Sequence, residues 1–191
     1  QKCALPIYYF NNSNKYKTNL KKTKKVFGSF LNDLKNNKIP LLQSYKKNYD
    51  FDFSSATVKK FSKYENIVII GMGGSILGTK SIYSFLKKKI KKKVFFLDNL
   101  DLNLKYEEIK NLKNACYVII SKSGNTLETI TNMGILFSNN LFKKKIIIIS
   151  EITDSFLMDV ANKYHAEFIN YKEFIGGRYS VLSESGMFPA A

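Results

Sequence analysis

The residues best suited to do chemistry lie in a hydroxyl-rich stretch from Ser121 to Thr129, with the sequence SKSGNTLET. It follows an apolar run, CYVII, and opens a segment with helical spacing. The first turn of a helix presents unpaired N–H groups and the positive end of the helix dipole. The hydroxyls of Ser121, Ser123 and Thr126 add groups that suit the oxygens of a phosphate, and Gly124 permits a close approach or a positive φ. The stretch therefore predicts a phosphate-binding loop.

A second glycine- and serine-bearing loop precedes it in the chain. Residues 71–78 have the sequence GMGGSILG and directly follow the apolar run IVII. The loop lacks the final glycine of a dinucleotide-binding fingerprint and the Gly-Lys-Ser/Thr ending of a Walker loop. By itself such a turn more often serves tight strand-to-helix packing. Two such loops in one chain, however, predict a pocket for a phosphorylated small molecule.

The elements that must position these loops alternate between apolar strands and helices after Asn66. Short, almost purely apolar runs predict strands buried on both faces of a parallel sheet, at 67–70, 94–97, 116–120, 146–150 and 167–170. Helical spacing predicts helices between them, at about 75–90, 102–112, 127–140 and 154–164. We therefore expect an α/β fold with a doubly wound, mostly parallel five-stranded sheet flanked by helices. Ligands of such sheets bind outside the carboxyl ends of the strands, where both loops would lie.

The first 40 residues predict a helical arm, and residues 41–191 predict the α/β domain. Apolar residues recur on one helical face over 17–38, and Pro40 is expected to end that region. Ser54 or Ser55 is placed to cap a further helix over 56–64.

The charge of the chain favours a solvated surface over a nucleic-acid interface. The formal net charge is +16, nearly all of it from Lys, and Arg178 is the single Arg. Specific readers of nucleic acids rely on Arg forks, whereas the Lys runs here precede strands, at expected helix ends that favour cations. For these reasons a nucleic acid is not expected as a partner. A membrane is not expected either, because no apolar run is long enough to span a bilayer. No cluster of His, Cys and Asp has metal-ligand spacing, and no metal or cofactor is expected.

Three motifs in order carry a resemblance to a known family. They are GMGGS at 71–75, SKSGNT at 121–126 and FIGGRYS at 174–180. Together they resemble the sugar isomerase (SIS) domain. The GGRYS segment and the VLSESGMFPAA that follows it make the resemblance closest to the first SIS domain of phosphoglucose isomerases. It covers about residues 40–191 and implies a flavodoxin-like three-layer sandwich within a longer enzyme of two SIS domains.

The resemblance also implies an activity and a set of site residues. The activity is interconversion of glucose 6-phosphate and fructose 6-phosphate through an enediolate, in cytoplasmic glycolysis and gluconeogenesis, by a homodimer without a cofactor. Arg178 would stabilise the enediolate, which suits a permanently charged, preorganised donor. The residues that would bind the sugar phosphate are Gly74, Ser75, Ser121, Lys122, Ser123, Gly124, Asn125, Thr126 and Gly177.

Several alternatives remain open at this point. Arg178 would otherwise form a structural ion pair with Glu173 or Glu184, and Ser123 or Asn125 would only cap a helix. The family takes its general-base Glu, its ring-opening His and a further Lys from positions after the GGR segment. His165 precedes that segment and does not correspond to the family's histidine. These 191 residues are therefore not expected to catalyse alone, and a non-catalytic SIS domain that senses a sugar phosphate is the alternative function.

Overall fold

The computed structural model describes residues 14–100, 106–110, 112–137 and 145–191, without the side chains of 107, 110 and 137. Parts of the predicted helices 102–112 and 127–140 thus lie outside the described residues. The chain divides into two compact units, one ending at Gln43 and one spanning Ser44–Ala191.

The described part of the first unit includes a long helix, α1 (Asn14–Lys35). The predicted helix over 17–38 is therefore shifted by three residues at each end. Asn37, not Pro40, accounts for where it stops. Asn37 adopts a left-handed φ of 55°, and the N–H of Lys38 reaches the carbonyl of Asp33 at 2.9 Å. This is a common way for a helix to end.

The second unit alternates strands and helices as predicted. Its strands are β1 (Asn66–Gly71), β2 (Lys93–Leu97), β3 (Ala115–Ile120), β4 (Ile146–Ser150) and β5 (Glu167–Asn170). Its α-helices are α2 (Ser55–Ser62), α3 (Gly74–Leu86), α4 (Tyr106–Lys110), α5 (Leu127–Phe137), α6 (Phe156–Tyr164) and α7 (Glu184–Ala190). Two 3₁₀ helices span Pro40–Tyr45, across the division between the units, and Gly177–Leu182. All predicted strand ends are confirmed to within one residue, whereas α3 ends four residues earlier than predicted.

All five strands are parallel, in the order β2-β1-β3-β4-β5. The predicted doubly wound α/β sheet is thereby confirmed. The chain winds from β1 to β2 in one direction and then from β2 through β3 and β4 to β5 in the other. This reversal places α3 on one face of the sheet and α4, α5 and α6 on the other, as right-handed crossovers require.

Each face of the sheet is covered by its own helices. On the face that carries α4, α5 and α6, side chains of β1, β3 and β4 pack with these helices into one core. This core includes Val68, Tyr117, Ile148, Met133 and Leu157. The opposite face meets α2, α3 and α7 around a largely apolar cavity of about 310 Å³. Cys116 lines this cavity and is a buried core residue. Burial raises the pKa of its thiol to about 12. None of the site residues predicted from the sequence lines the cavity.

The described helices include none that combines the length and the apolar character required to cross a membrane.

Candidate functional site at the carboxyl edge of the sheet

The two predicted loops start next to each other, at the point where the strand order reverses. Gly71, the last residue of β1, is paired with Ile120, the last residue of β3. The chain leaves β1 toward α3 and leaves β3 toward α5, so both helices begin at this edge. Their N-termini bring partial positive charge and N–H groups to one edge of the sheet, the edge at which doubly wound sheets bind ligands.

The first loop uses its glycines for shape. Gly73 has a φ of 56° and is the N-cap of α3, so no side chain caps the first turn of this helix. Gly74 packs against the backbone of the third motif. A Cβ at Gly74 would lie 2.2 Å from the carbonyl oxygen of Gly177 and 2.8 Å from the nitrogen of Arg178. Ser75 follows, half-buried, in the first turn of α3.

The second loop holds its hydroxyls in two layers. Ser121 is 2% exposed, and its hydroxyl lies 2.8 Å from the hydroxyl of Thr126. Ser123 is exposed, and its oxygen accepts the N–H of Asn125 at 3.3 Å. Gly124 has the predicted positive φ, 68°. Only glycine fits there, because a Cβ would lie 2.3 Å from the hydroxyl oxygen of Ser155.

Asn125 and Lys122 are engaged in ways that the sequence did not predict. The side-chain oxygen of Asn125 accepts the N–H of Phe156 at 2.9 Å, so Asn125 caps the first turn of α6 and not that of α5. The ammonium of Lys122 lies 3.3 Å from the carboxylate of Glu151. It also donates to the carbonyl of Glu173 at 2.7 Å. Lys122 thereby ties the second loop to the segment that carries Arg178.

The third motif docks on the start of α3. Ser180 donates its hydroxyl toward the carbonyls of Gly177, at 2.9 Å, and Gly74, at 3.3 Å. Arg178, in the 3₁₀ helix Gly177–Leu182, is exposed. No carboxylate among the described residues lies within 4.0 Å of its guanidinium, and Glu184 pairs instead with Lys172 at 3.8 Å. The alternative of a structural ion pair to Glu173 or Glu184 is therefore wrong within the described part of the chain.

The structure thus gathers the three motifs at one edge, through the pairing of Gly71 with Ile120 and the packing of Gly74 on Gly177. A Cβ at Gly177 would meet nothing within 4 Å. The contact of each predicted residue with a ligand stays a prediction. His165 is an exposed, left-handed C-cap of α6. In the described ranges, no group of three His, Cys, Asp or Glu side chains is placed to hold a metal ion.

Sequence reasoning missed two hydroxyls near the second loop, those of Ser150 and Ser155. Ser150, at the end of β4, is fully buried and directs its hydroxyl to the carbonyl of Lys122 at 3.5 Å. Ser155 caps α6 through the N–H of Met158. Thr129 is 1% exposed, and its hydroxyl has no hydrogen-bond partner within the described residues. A polar residue at the end of an apolar strand was the available signal for Ser150.

Comparison with known proteins identifies the family. A family model described as phosphoglucose isomerase matches residues 28–191. The chain belongs to the phosphoglucose isomerase family. Glucose-6-phosphate isomerase of Methanocaldococcus jannaschii is 35% identical over 145 residues, which are 73% of this chain and 35% of that protein. The chain spans about a third of the length of the curated relatives it matches.

Solved structures show the same fold at lower identity. A hypothetical protein from Thermus thermophilus superposes with a TM-score of 0.63 at 21% identity, over 71% of this chain and 35% of that one. The sugar isomerase domain of an RpiR transcription factor from Sphaerobacter thermophilus superposes with a TM-score of 0.52 at 14% identity, over 84% and 85% of the two chains. The predicted SIS-type fold is thereby confirmed. Because the fold serves a transcription factor too, it does not by itself distinguish an enzyme from a regulator.

Proposed function

We propose that the chain is the sugar-phosphate-binding first SIS domain of an enzyme that interconverts glucose 6-phosphate and fructose 6-phosphate. The observation that carries the proposal is the convergence of both helix N-termini and the Arg178 segment at one edge of the sheet. Membership of the phosphoglucose isomerase family supports the same activity. The name of the Methanocaldococcus jannaschii relative, glucose-6-phosphate isomerase, agrees with this substrate pair.

The phosphate would bind at the N-terminus of α5, among the hydroxyls of Ser121, Ser123 and Thr126. Backbone N–H groups and the helix dipole both favour an anion at that position. Gly74 and Ser75 would contact the sugar phosphate from the first loop. The carboxylate of Glu151 would repel a bound phosphate only weakly, because it lies 3.3 Å from the ammonium of Lys122.

Arg178 would stabilise the negative charge of the enediolate. Its guanidinium is always charged and has no competing carboxylate within 4.0 Å among the described residues. A fixed donor directed at developing charge lowers the barrier of such a step. Gly177 would let the backbone approach the sugar from the same segment.

Transfer of a proton between C1 and C2 needs a positioned base as well. We propose that this base, a ring-opening His and a further Lys come from the part of the enzyme that follows the GGR segment, as in the family. We also propose that the enzyme is a cytoplasmic homodimer of glycolysis and gluconeogenesis that needs no cofactor. A non-catalytic sensor of sugar phosphates is the competing function.

The decisive experiment is a coupled assay of fructose 6-phosphate conversion by a polypeptide of full family length. Arg178→Ala is expected to lower kcat by a factor of about 100 or more, the usual loss when one preorganised donor is removed. Arg178→Lys should recover only part, because an ammonium cannot reproduce the planar fork. Lys91→Ala, an exposed cation elsewhere, serves as the control. Full activity of Arg178→Ala would show that Arg178 takes no part in the mechanism. If the wild-type protein binds fructose 6-phosphate but does not convert it, the sensor function would be favoured.

A further inference from the structure

The loop that carries Arg178 is anchored at both ends to one short segment of the chain. The loop runs from residue 173 to residue 183, between β5 and α7. At its start, Lys172 donates to the backbone carbonyl of Asp50. At its end, the carboxylate of Glu184 accepts the hydroxyl of Tyr49 at 2.9 and 3.0 Å and the N–H of Asp52 at 3.3 Å. Segment 49–52 therefore holds the two ends of the loop together.

The two anchors also contact each other. The ammonium of Lys172 lies 3.8 Å from the carboxylate of Glu184 and 4.4 Å from the centre of the Tyr49 ring. We refer to Tyr49, Asp52, Lys172 and Glu184 as the Glu184 cluster. Asp52 joins β5 to the cluster as well, because its carboxylate accepts the N–H of Asn170 at 2.6 Å.

A buried carboxylate at this position demands all of these partners. Glu184 is 0% exposed, and a buried charge is costly unless it is paired and hydrogen-bonded. Burial raises the pKa of Tyr49 far above its usual range, and the charge of Glu184 raises it further, so the hydroxyl keeps its proton and donates. If one partner is lost, the buried charge of Glu184 is no longer compensated. The intact cluster therefore favours the one arrangement of the loop ends in which all of these contacts are made.

We infer that the Glu184 cluster is a positioning device for Arg178, with Glu184 as its central residue. It fixes the ends of the loop, while Ser180 and Gly177 dock the middle of the loop on α3. Within the cluster, Glu184 pairs with Lys172 and not with Arg178, so the guanidinium of Arg178 stays available to substrate. This inference rests on the proposed isomerase function for its kinetic consequence, but its structural consequence is independent of that function.

The kinetic test compares Glu184→Gln with wild type in a polypeptide of full family length. Gln keeps the shape and the hydrogen-bond acceptor but loses the charge that attracts Lys172. We expect kcat to fall by about tenfold or more, because small displacements of a catalytic group are costly. KM should change by less than about twofold, since the predicted phosphate-binding loops lie outside the cluster. Tyr49→Phe, which removes one hydroxyl, should act in the same direction with a smaller effect.

A double-mutant cycle separates positioning from general destabilisation. If Glu184 acts through Arg178, Glu184→Gln should have no further effect on kcat once Arg178 is replaced by Ala. Glu167→Gln is the matched control, because Glu167 also pairs with a lysine, Lys60, but at the start of β5. An equal loss of kcat with and without Arg178 would overturn the inference.

Proteolysis gives a readout that does not depend on activity. Arg178 is the only Arg of these 191 residues, so within them an arginine-specific protease cleaves at this loop alone. Cleavage after Arg178 should be at least about threefold faster in Glu184→Gln and Tyr49→Phe than in wild type and Glu167→Gln, as expected for local opening. Cleavage by a lysine-specific protease at lysines outside both the loop and the Glu184 cluster should be unchanged. Unaltered cleavage at Arg178 would overturn the positioning role, whereas an inactive wild type would overturn only the proposed reaction.

Discussion

At the residue scale, some side chains of the second loop stabilise the fold through internal hydrogen bonds, whereas others are exposed and could contact a ligand. Asn125 precedes α5 by two positions, yet it caps α6 by accepting the N–H of Phe156. Ser121 and Thr126 bond to each other. Ser123 is the exposed hydroxyl of the three, and it supports the loop through the N–H of Asn125. A change at Ser123 should therefore affect a bound anion more than it affects the fold.

Ser123→Asp is expected to weaken binding of fructose 6-phosphate by about tenfold or more, which corresponds to about 1.4 kcal/mol. The carboxylate would repel the phosphate, although it would still accept the N–H of Asn125. Ser123→Ala removes one hydrogen bond and should cost only about 1 kcal/mol of binding free energy. Calorimetric titration of the two variants and the wild type measures both effects. Equal affinities in all three would contradict a phosphate site at this loop.

The sequence predicted which residues form this loop but not every bond they make. Hydroxyl and glycine content together with the strand-to-helix position sufficed for the loop and for the positive φ of Gly124. The target of Asn125 was not predictable, because Phe156 is distant in sequence and becomes a neighbour only when β3 and β4 pair. Ser150 and Ser155 join the loop for the same reason.

At the element scale, the start of α3 and the 3₁₀ helix Gly177–Leu182 form one packed unit without room for extra atoms. Gly74 contacts the backbone of Gly177, and a Cβ at Gly78 would lie 2.9 Å from the side chain of Val181. Thr79 donates to the carbonyl of Ser185 at 3.0 Å. The sequence assigned Gly74 to ligand binding; the structure adds this packing role, by which the Arg178 segment is held beside the first loop.

Gly74→Ala is expected to lower the free energy of unfolding by about 1–3 kcal/mol, because its methyl group would force the 3₁₀ helix away from α3. Gly134→Ala is the control within α5. A Cβ at Gly134 meets nothing within 4 Å, so this change should stabilise the helix by up to about 1 kcal/mol. Urea denaturation of both variants checks the pair. If Gly74→Ala is as stable as wild type, the backbone of Gly177 can move away from the added methyl group without loss of stability, and the close packing is not required.

Helix ends illustrate the limit of periodicity as a predictor. The pattern extended α3 to residue 90, but the helix ends at Leu86, and the Lys run from Lys87 occupies the turn before β2. The expectation that these lysines lie in the last helical turn is therefore wrong. Apolar runs located the strands well because both faces of the sheet are buried, whereas strand order depends on crossovers that no local pattern records.

At the scale of the whole molecule, one described lysine run lies far from the site. The run from Lys87 to Lys93 leads into the amino end of β2, and all strands are parallel, so it sits at the edge opposite the two loops. Four lysines in the turn before β2 are exposed, namely Lys87, Lys88, Lys89 and Lys91. Lys92 differs, because it is half-buried and donates to the carbonyls of Ser62 and Tyr64.

Replacing Lys87, Lys88, Lys89 and Lys91 together by Gln should reduce retention on a polyanion column. Stability should change by less than about 1 kcal/mol, as usual for exposed sites, and affinity for fructose 6-phosphate should stay the same. Lys92→Gln alone should cost more stability, about 1.5–3 kcal/mol, because it removes charged hydrogen bonds. Chromatography, thermal unfolding and calorimetry on both variants test this contrast. A marked loss of sugar-phosphate affinity in the fourfold variant at ordinary salt would show that the run contributes to the site.

The bond between Tyr49 and Glu184 joins residues that lie 135 positions apart. At synthesis rates of about 5–20 residues per second, Glu184 leaves the ribosome roughly 7–27 s after Tyr49. During this interval the nascent chain carries Phe53 without Phe188, its later neighbour at 5.2 Å between ring centres. Phe53 therefore lacks this packing partner until Phe188 has been made. The anchoring of the loop around Arg178 by Tyr49 can form only after Glu184 has been made.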